Sequence, residues 1–261
     1  MAKFVDTHAH LNHEDFRADL EEAIQRALRA GVSAIIVPGY DIESSERAVD
    51  LASTHKPIFA AVGIHPHDAK TFDAASLATL KNLAAKSKVV AIGEVGLDFH
   101  YNLSPREKQM EAFAAQAVLS RELGLPLIVH TRDSASEALD ILKRNDTPGP
   151  AGGVMHYFSA DEQTALEARL IGLALGVAGP ITYTKNDALR EVISHIGIDG
   201  LVIETDSPYS APQQFRGSRN EPAYVPLVAG KLAELFNYTV DHIAGITSAT
   251  AAKLFRLAET E

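Results

Sequence analysis

The sequence predicts an α/β fold, a single (β/α)8 TIM barrel with an extra helix at its C-terminal end. Three observations predict it. Short β-branched runs alternate with longer amphipathic stretches along the chain. The 261 residues suit one barrel, and no Pro-, Gly- or Ser-rich linker divides them, so one domain over residues 1–261 is expected. Six of the strand-like runs end in histidine or carboxylate residues, as expected where a parallel barrel gathers the C-terminal ends of its strands around one mouth.

Taken in order, the apolar runs place strands at residues 3–6, 33–37, 58–64, 89–94, 127–130, 153–156, 173–177 and 200–204. Between them, apolar positions three and four apart predict helices at 16–29, 43–53, 74–86, 105–122, 134–144, 162–169, 188–195 and 225–236. A last helix at 240–257 closes the chain. Ser104-Pro105 and Thr239-Val240-Asp241 read as helix starts, and Gly124, Gly172 and Gly197 as helix stops.

Composition narrows the chemistry. With no cysteine there is no disulfide and no thiolate ligand, so any metal must be held by histidine and carboxylate. The apolar content of 46% is ordinary for a folded domain, and no apolar run approaches the ~20 residues of a membrane helix. Met1-Ala2-Lys3 leads directly into Phe4-Val5 without the pattern of a signal peptide, so a cytoplasmic protein is expected. The net charge of −10 argues against a broadly basic nucleic-acid surface but permits a local cationic cleft. Two bound divalent ions, with Arg132, Arg216, Arg219 and Lys185, would supply such a field.

His8 and His10 close the first strand two residues apart, and side chains alternate across a strand, so facing inward both can bind one ion. A lone His-x-His is equally a solvated pair; the other polar strand ends favour the ligand reading. Glu94 closes the run Val89-Val90-Ala91-Ile92-Gly93, where an ionised carboxylate needs a cation beside it, either an arginine or a metal. Its two oxygens can bridge two ions ~3.5–4 Å apart. His130 and His156 end strands five and six, where each alone would read as a core histidine and together they read as ligands. Asp206 follows Leu201-Val202-Ile203 and can hold a metal while accepting a proton from water; a helix cap before Pro208 is the competing reading. Glu204 is expected to orient ligand histidines.

His65 and His67 lie in a His-Pro-His turn and read as substrate or leaving-group partners, with a loop-stabilising role open for His67. Arg132 and Arg216 are candidates for gripping phosphate, against a surface ion pair for Arg216. Asn220 either fixes its loop or donates to the substrate. Asp98 is expected to anchor a loop or brace a histidine, and the histidines at 13, 55, 100, 195 and 242 are left structural.

The set of motifs resembles the TatD family of metal-dependent hydrolases, the TatD-type deoxyribonucleases. It comprises DTHAHL at 6–11, VGIHPH at 62–67, GEVGLDF at 93–99, HTRD at 130–133, HYFS at 156–159, ETDSPY at 204–209 and RGSRNEP at 216–222. The resemblance implies an amidohydrolase-like TIM barrel with one metal on His8, His10, Glu94 and Asp206, and a second on Glu94, His130 and His156. Residues 176–183 depart from the family's serine-rich strand seven, which removes any substrate contact carried over there.

The expected activity is metal-dependent phosphodiester hydrolysis of DNA, exonucleolytic on single-stranded ends, by a hydroxide bridged between two divalent ions of zinc, manganese or magnesium. Asp206 and Glu94 serve the water, and His65 the leaving oxygen. Hydrolysis of a carboxylic ester or amide, including an aminoacyl ester on tRNA, is the alternative, because the same hydroxide can attack a carbonyl carbon. A metal-stabilised binding module is the alternative from another class and predicts a closed coordination shell.

Overall fold

A computed structural model describes residues 3–257; Met1, Ala2 and the last four positions of the expected domain lie outside the described residues. Eight strands run in chain order through one sheet: β1 Phe4–Asp6, β2 Val32–Pro38, β3 Ile58–Val62, β4 Val89–Asp98, β5 Leu127–Arg132, β6 Gly153–Met155, β7 Leu173–Val177 and β8 Leu201–Ile203. The helices are α1 Leu20–Arg29, α2 Ile42–Thr54, α3 Ala74–Ala84, α4 Arg106–Leu123, α5 Ala135–Arg144, α6 Glu162–Leu170, α7 Asp187–Ile196, α8 Val225–Phe236 and, as the extra C-terminal helix, α9 Val240–Phe255. Among the described residues no helix is long and apolar enough to cross a membrane.

The chain forms two compact units. The first holds the chain up to Val37, residues Tyr157–Leu166 and the chain from Leu175 onward. Here β1 pairs in parallel with β2, and β7 with β8. Helix α9 packs on β1, β8 and α8, burying Ile243, Ala251 and Phe255. The second unit holds Pro38–His156 and Glu167–Ala174, with β3, β4, β5 and β6 in parallel register. Helix α4 lies on β4 and buries Ala112, Phe113 and Ala117. Each fully buried side chain such as Phe113 or Leu127 contributes roughly 1.5–3 kcal/mol.

Several boundaries differ from expectation, and two of the larger differences have a local reason. Residues 14–16 form a separate 3-10 turn capped by His13, whose ring accepts from the Asp15 backbone N–H, so α1 starts only at Leu20. Strand β4 runs on to Asp98 because Gly96, at φ 144°, lets it lie against His130 of β5; a Cβ at Gly96 would collide with the His130 carbonyl. Strand β1 ends at Asp6 as expected and β6 stops one residue short at Met155, so His8 and His156 occupy the irregular segments beyond them.

Candidate metal centre

In the first unit the chain stays extended past β1. The Ala9 N–H donates to the Ile36 carbonyl at 3.0 Å and the His10 N–H to the Ser207 carbonyl at 2.7 Å. With Ala9 thus bridged to Ser207, His8 and His10 share one side: their Nε2 atoms are 3.1 Å apart and lie 3.9 and 3.6 Å from Asp206 Oδ1. A tetrahedral ion with bonds of ~2.0–2.1 Å separates its ligand atoms by about 3.4 Å, so this buried donor set fits a divalent metal. Asp206 adopts φ 57°, a region aspartate tolerates better than most residues, and its N–H donates to the His8 carbonyl.

Buried carboxylates brace this cluster. Asp6 accepts from the Thr205 N–H at 2.9 Å and the Thr205 hydroxyl at 2.7 Å, tying β1 to the segment before Asp206. Burial pushes the Asp6 carboxyl up to about 8 against the pull of those hydrogen bonds. Glu204 accepts from the Thr7 hydroxyl at 3.1 Å and the Tyr157 N–H at 2.6 Å. It therefore holds the segments beside His8 and His156. A Cβ at Gly176 would sit 2.6 Å from its carboxylate oxygens, so the glycine of strand seven makes room for Glu204.

The second unit gathers His65, Glu94, His130 and His156. Glu94 Oε1 lies 2.9 Å from His130 Nδ1, 3.5 Å from His65 Nε2 and 3.7 Å from His156 Nε2. His65 differs from the other two rings. Its Nδ1 accepts the His67 backbone N–H at 3.1 Å, so the neutral ring carries its proton on Nε2 and is a donor, not a lone-pair ligand. Burial pushes its pKa down to about 4, keeping it neutral at pH 7. His130 Nε2 has no hydrogen-bond partner and no solvent access; Asp98 Oδ2 stands 3.7 Å away. Burial disfavours the charged ring, but Asp98 and Glu94 outweigh it and raise the His130 pKa.

Asp98 takes both of its expected roles. Oδ2 accepts from His67 Nε2 at 2.7 Å, and Oδ1 accepts the His100 and Tyr101 backbone N–H groups at 3.0 and 2.8 Å. Burial opposes its charge, yet the nearby His130 ring and the Tyr101 and His67 donors hold it below the usual carboxylate range.

This donor set accompanies a match between the TatD related DNase family pattern and residues 5–256. The chain belongs to the TatD family. It is 43% identical to the uncharacterised metal-dependent hydrolase YabD of Bacillus subtilis over 97% of this chain and 98% of that protein. It is 36% identical to the 3'-5' ssDNA/RNA exonuclease TatD of Cronobacter sakazakii, over 96% and 97%. The crystal structure of YjjV, a TatD homologue from Escherichia coli K12, superposes with a TM-score of 0.92 at 35% identity, covering 98% of each chain. The fold is the TIM barrel of TatD structures, and the protein is a metal-dependent hydrolase.

Other side chains of this TatD-family protein fall into two groups. Arg132 and Arg216, both expected at phosphate, have no ion-pair partner among the described residues; each guanidinium stacks on a tyrosine, Arg132 4.5 Å above Tyr101 and Arg216 4.6 Å above Tyr183. Among the described residues, the surface ion pair weighed for Arg216 is not formed. Arg219 is engaged internally: it donates to both Asp19 oxygens at 2.7 and 2.8 Å, while Arg26 joins Asp19 to Glu221. Its charge is neutralised rather than added to a cleft.

Asn220 is fully buried, and of its two expected roles the structure has it fixing the loop. Its Nδ2 donates to the Thr205 and Tyr209 carbonyls at 2.8 and 2.7 Å, and its Oδ1 accepts the Glu221 N–H at 2.9 Å. Neither N–H of that amide is left to donate to substrate, because the carbonyls of Thr205 and Tyr209 on either side of Asp206 take both. Asn220→Ala, which strips three partners, should destabilise the protein by about 1–3 kcal/mol in urea unfolding. A stability within error of wild type would remove this role.

Two buried glutamines of α4 escape a reading by motifs. Gln109 accepts the Asp98 N–H at 2.8 Å and donates to the Asp98 and Ser104 carbonyls. Gln116 accepts the Ile64 N–H at 2.7 Å and donates to the Ile64 carbonyl. Each closes backbone groups where a strand ends beside a site histidine or carboxylate. Their signal in the sequence was two glutamines seven residues apart on the apolar face of a helix.

Proposed function

We propose that the protein, as one domain over residues 1–261, is a two-metal phosphodiesterase acting on DNA, exonucleolytically at single-stranded ends. In a TIM barrel the strand ends share one mouth, which is the geometric premise of this reading. His8, His10 and Asp206 would hold one divalent ion, and His130 and His156 the other, with Glu94 offering an oxygen to each. Zinc, manganese and magnesium all suit such ligands. Bound there, the ions lower the pKa of water and neutralise charge on a phosphoryl group.

The remaining work falls to side chains. Asp206 accepts the proton of the attacking water, and His65, neutral with its proton on Nε2, donates a hydrogen bond to the leaving oxygen, which takes its proton from solvent. Arg132 and Arg216 grip phosphate oxygens. Their lack of carboxylate partners among the described residues is the observation that carries the reading: two guanidiniums without an ion pair there suit a phosphodiester better than a neutral ester carbonyl. The Cronobacter relative, named as a ssDNA/RNA exonuclease, supports the same class.

The test is a panel of single- and double-stranded DNA, RNA, phosphomonoesters and aminoacyl esters, run on chelated protein with each metal restored. Nucleotide release from single-stranded DNA that requires metal is expected. An equal or greater rate on the esters would overturn the proposal.

A further inference from the structure

A cavity of about 310 Å³ opens in the first unit between residues 157–161 and the start of α7. Its inner wall is apolar: Phe158, Ala178 and Leu189 line it and are buried. The volume stands at the lower end of the range for small-ligand pockets, sufficient for one ring system and too small for a run of nucleotides. No lysine, arginine or histidine lines it, so it is not built for phosphate.

The polar lining is Ser159, Asp161 and Asn186, of which only Asp161 carries a charge. Asn186 donates its Nδ2 to the Pro180 carbonyl at 3.1 Å, leaving Oδ1 as the open end of the amide. Asp161 caps α6 by accepting the Thr164 N–H on Oδ1 at 2.8 Å, and a carboxylate has further acceptor capacity. The one charged group, Asp161, is acceptor-only, and the Ser159 hydroxyl can turn to accept as well, so the complementary ligand presents N–H groups on a flat apolar ring. Tyr157, also in the lining, fixes the cavity relative to Asp206: its hydroxyl lies 2.8 Å from Ser210 Oγ, and its N–H donates to Glu204 two residues before Asp206.

We propose that this cavity is a nucleobase subsite that takes the unpaired terminal base of the strand and prefers adenine and cytosine to thymine. Adenine and cytosine each present an exocyclic NH₂ donor, whereas thymine presents a carbonyl at the corresponding position, which would face the carboxylate of Asp161. The inference rests on the nuclease reading, and it makes that enzyme selective at a position where stacking alone would be tolerant.

The experiment compares oligonucleotides differing only in the base at the attacked end, with kcat/KM as readout. A preference of about tenfold for dA or dC over dT is expected, the worth of one hydrogen bond to a charged acceptor. Asp161→Asn keeps a capping residue on α6 and replaces the carboxylate by an amide with donors. It should bring the dA:dT ratio close to one, and because a ratio is read, lost folding or metal cannot mimic the result. Equal wild-type rates on dA and dT ends, or an unchanged ratio in Asp161→Asn, would overturn the subsite. If wild type cleaves no oligonucleotide, the nuclease reading fails by itself. The cavity is then judged by titrating chelated protein with deoxyadenosine and thymidine: selective deoxyadenosine binding supports it, and binding of neither or of both alike overturns it.

Discussion

Replacing Glu94 by glutamine should remove bound metal and lower phosphodiester hydrolysis by on the order of 10³-fold or more, since the ions supply several kcal/mol of charge stabilisation. The reason lies in one oxygen. Glu94 Oε1 is the common neighbour of His130, His65 and His156, at 2.9, 3.5 and 3.7 Å. An amide of the same shape keeps the packing but loses the negative charge that makes the cluster attractive to a cation. Stability separates this loss from misfolding. A buried carboxylate is costly without a cation, so chelated Glu94→Gln should unfold at no lower a urea concentration than chelated wild type. Metal content by mass spectrometry, together with turnover, checks the first part. A variant that retained its metal and its rate would end the assignment of Glu94.

The contrast between what was and was not legible in the chain has a physical cause. The alternation that placed eight strands and nine helices is a local property, and so is the spacing of His8 and His10; an extended segment of any length puts alternate residues on one side, so the pair survived the end of β1 at Asp6. The extent of β4 was not local. Its last residues pair with β5 only because Gly96 lets the chain approach His130, and that contact spans 34 positions. Asp98 was placed by motif, but its partners His67, His130 and Tyr101 come from three segments that no periodicity joins. The same holds for Arg132 on Tyr101 and Arg216 on Tyr183. Residue type nominated these arginines for phosphate, whereas that no carboxylate among the described residues forms an ion pair with them is a fact of packing. Arg219, of the same type and in the same motif as Arg216, is held by Asp19.

Asp206→Asn should lower kcat by about 10²–10⁴-fold with a much smaller change in KM, the range expected when a general base is lost. Asparagine tolerates the left-handed backbone as aspartate does, so φ 57° and the hydrogen bond from the residue 206 N–H to the His8 carbonyl should be retained. What changes is the carboxylate oxygen 3.6 Å from His10 Nε2 and 3.9 Å from His8 Nε2. Because Glu94, His130 and His156 are untouched, this variant should lose only part of its metal, whereas Glu94→Gln loses most. Proton transfer predicts a further signature. With no carboxylate to take the proton, the variant depends on hydroxide from solvent, and its kcat should climb with pH beyond the point at which the wild-type profile levels. A variant profile parallel to wild type at a uniformly reduced rate would mean that Asp206 contributes charge and ligation but accepts no proton. Full metal content with wild-type kcat would remove it from the chemistry and leave the segment before Pro208 as the reason for an aspartate there.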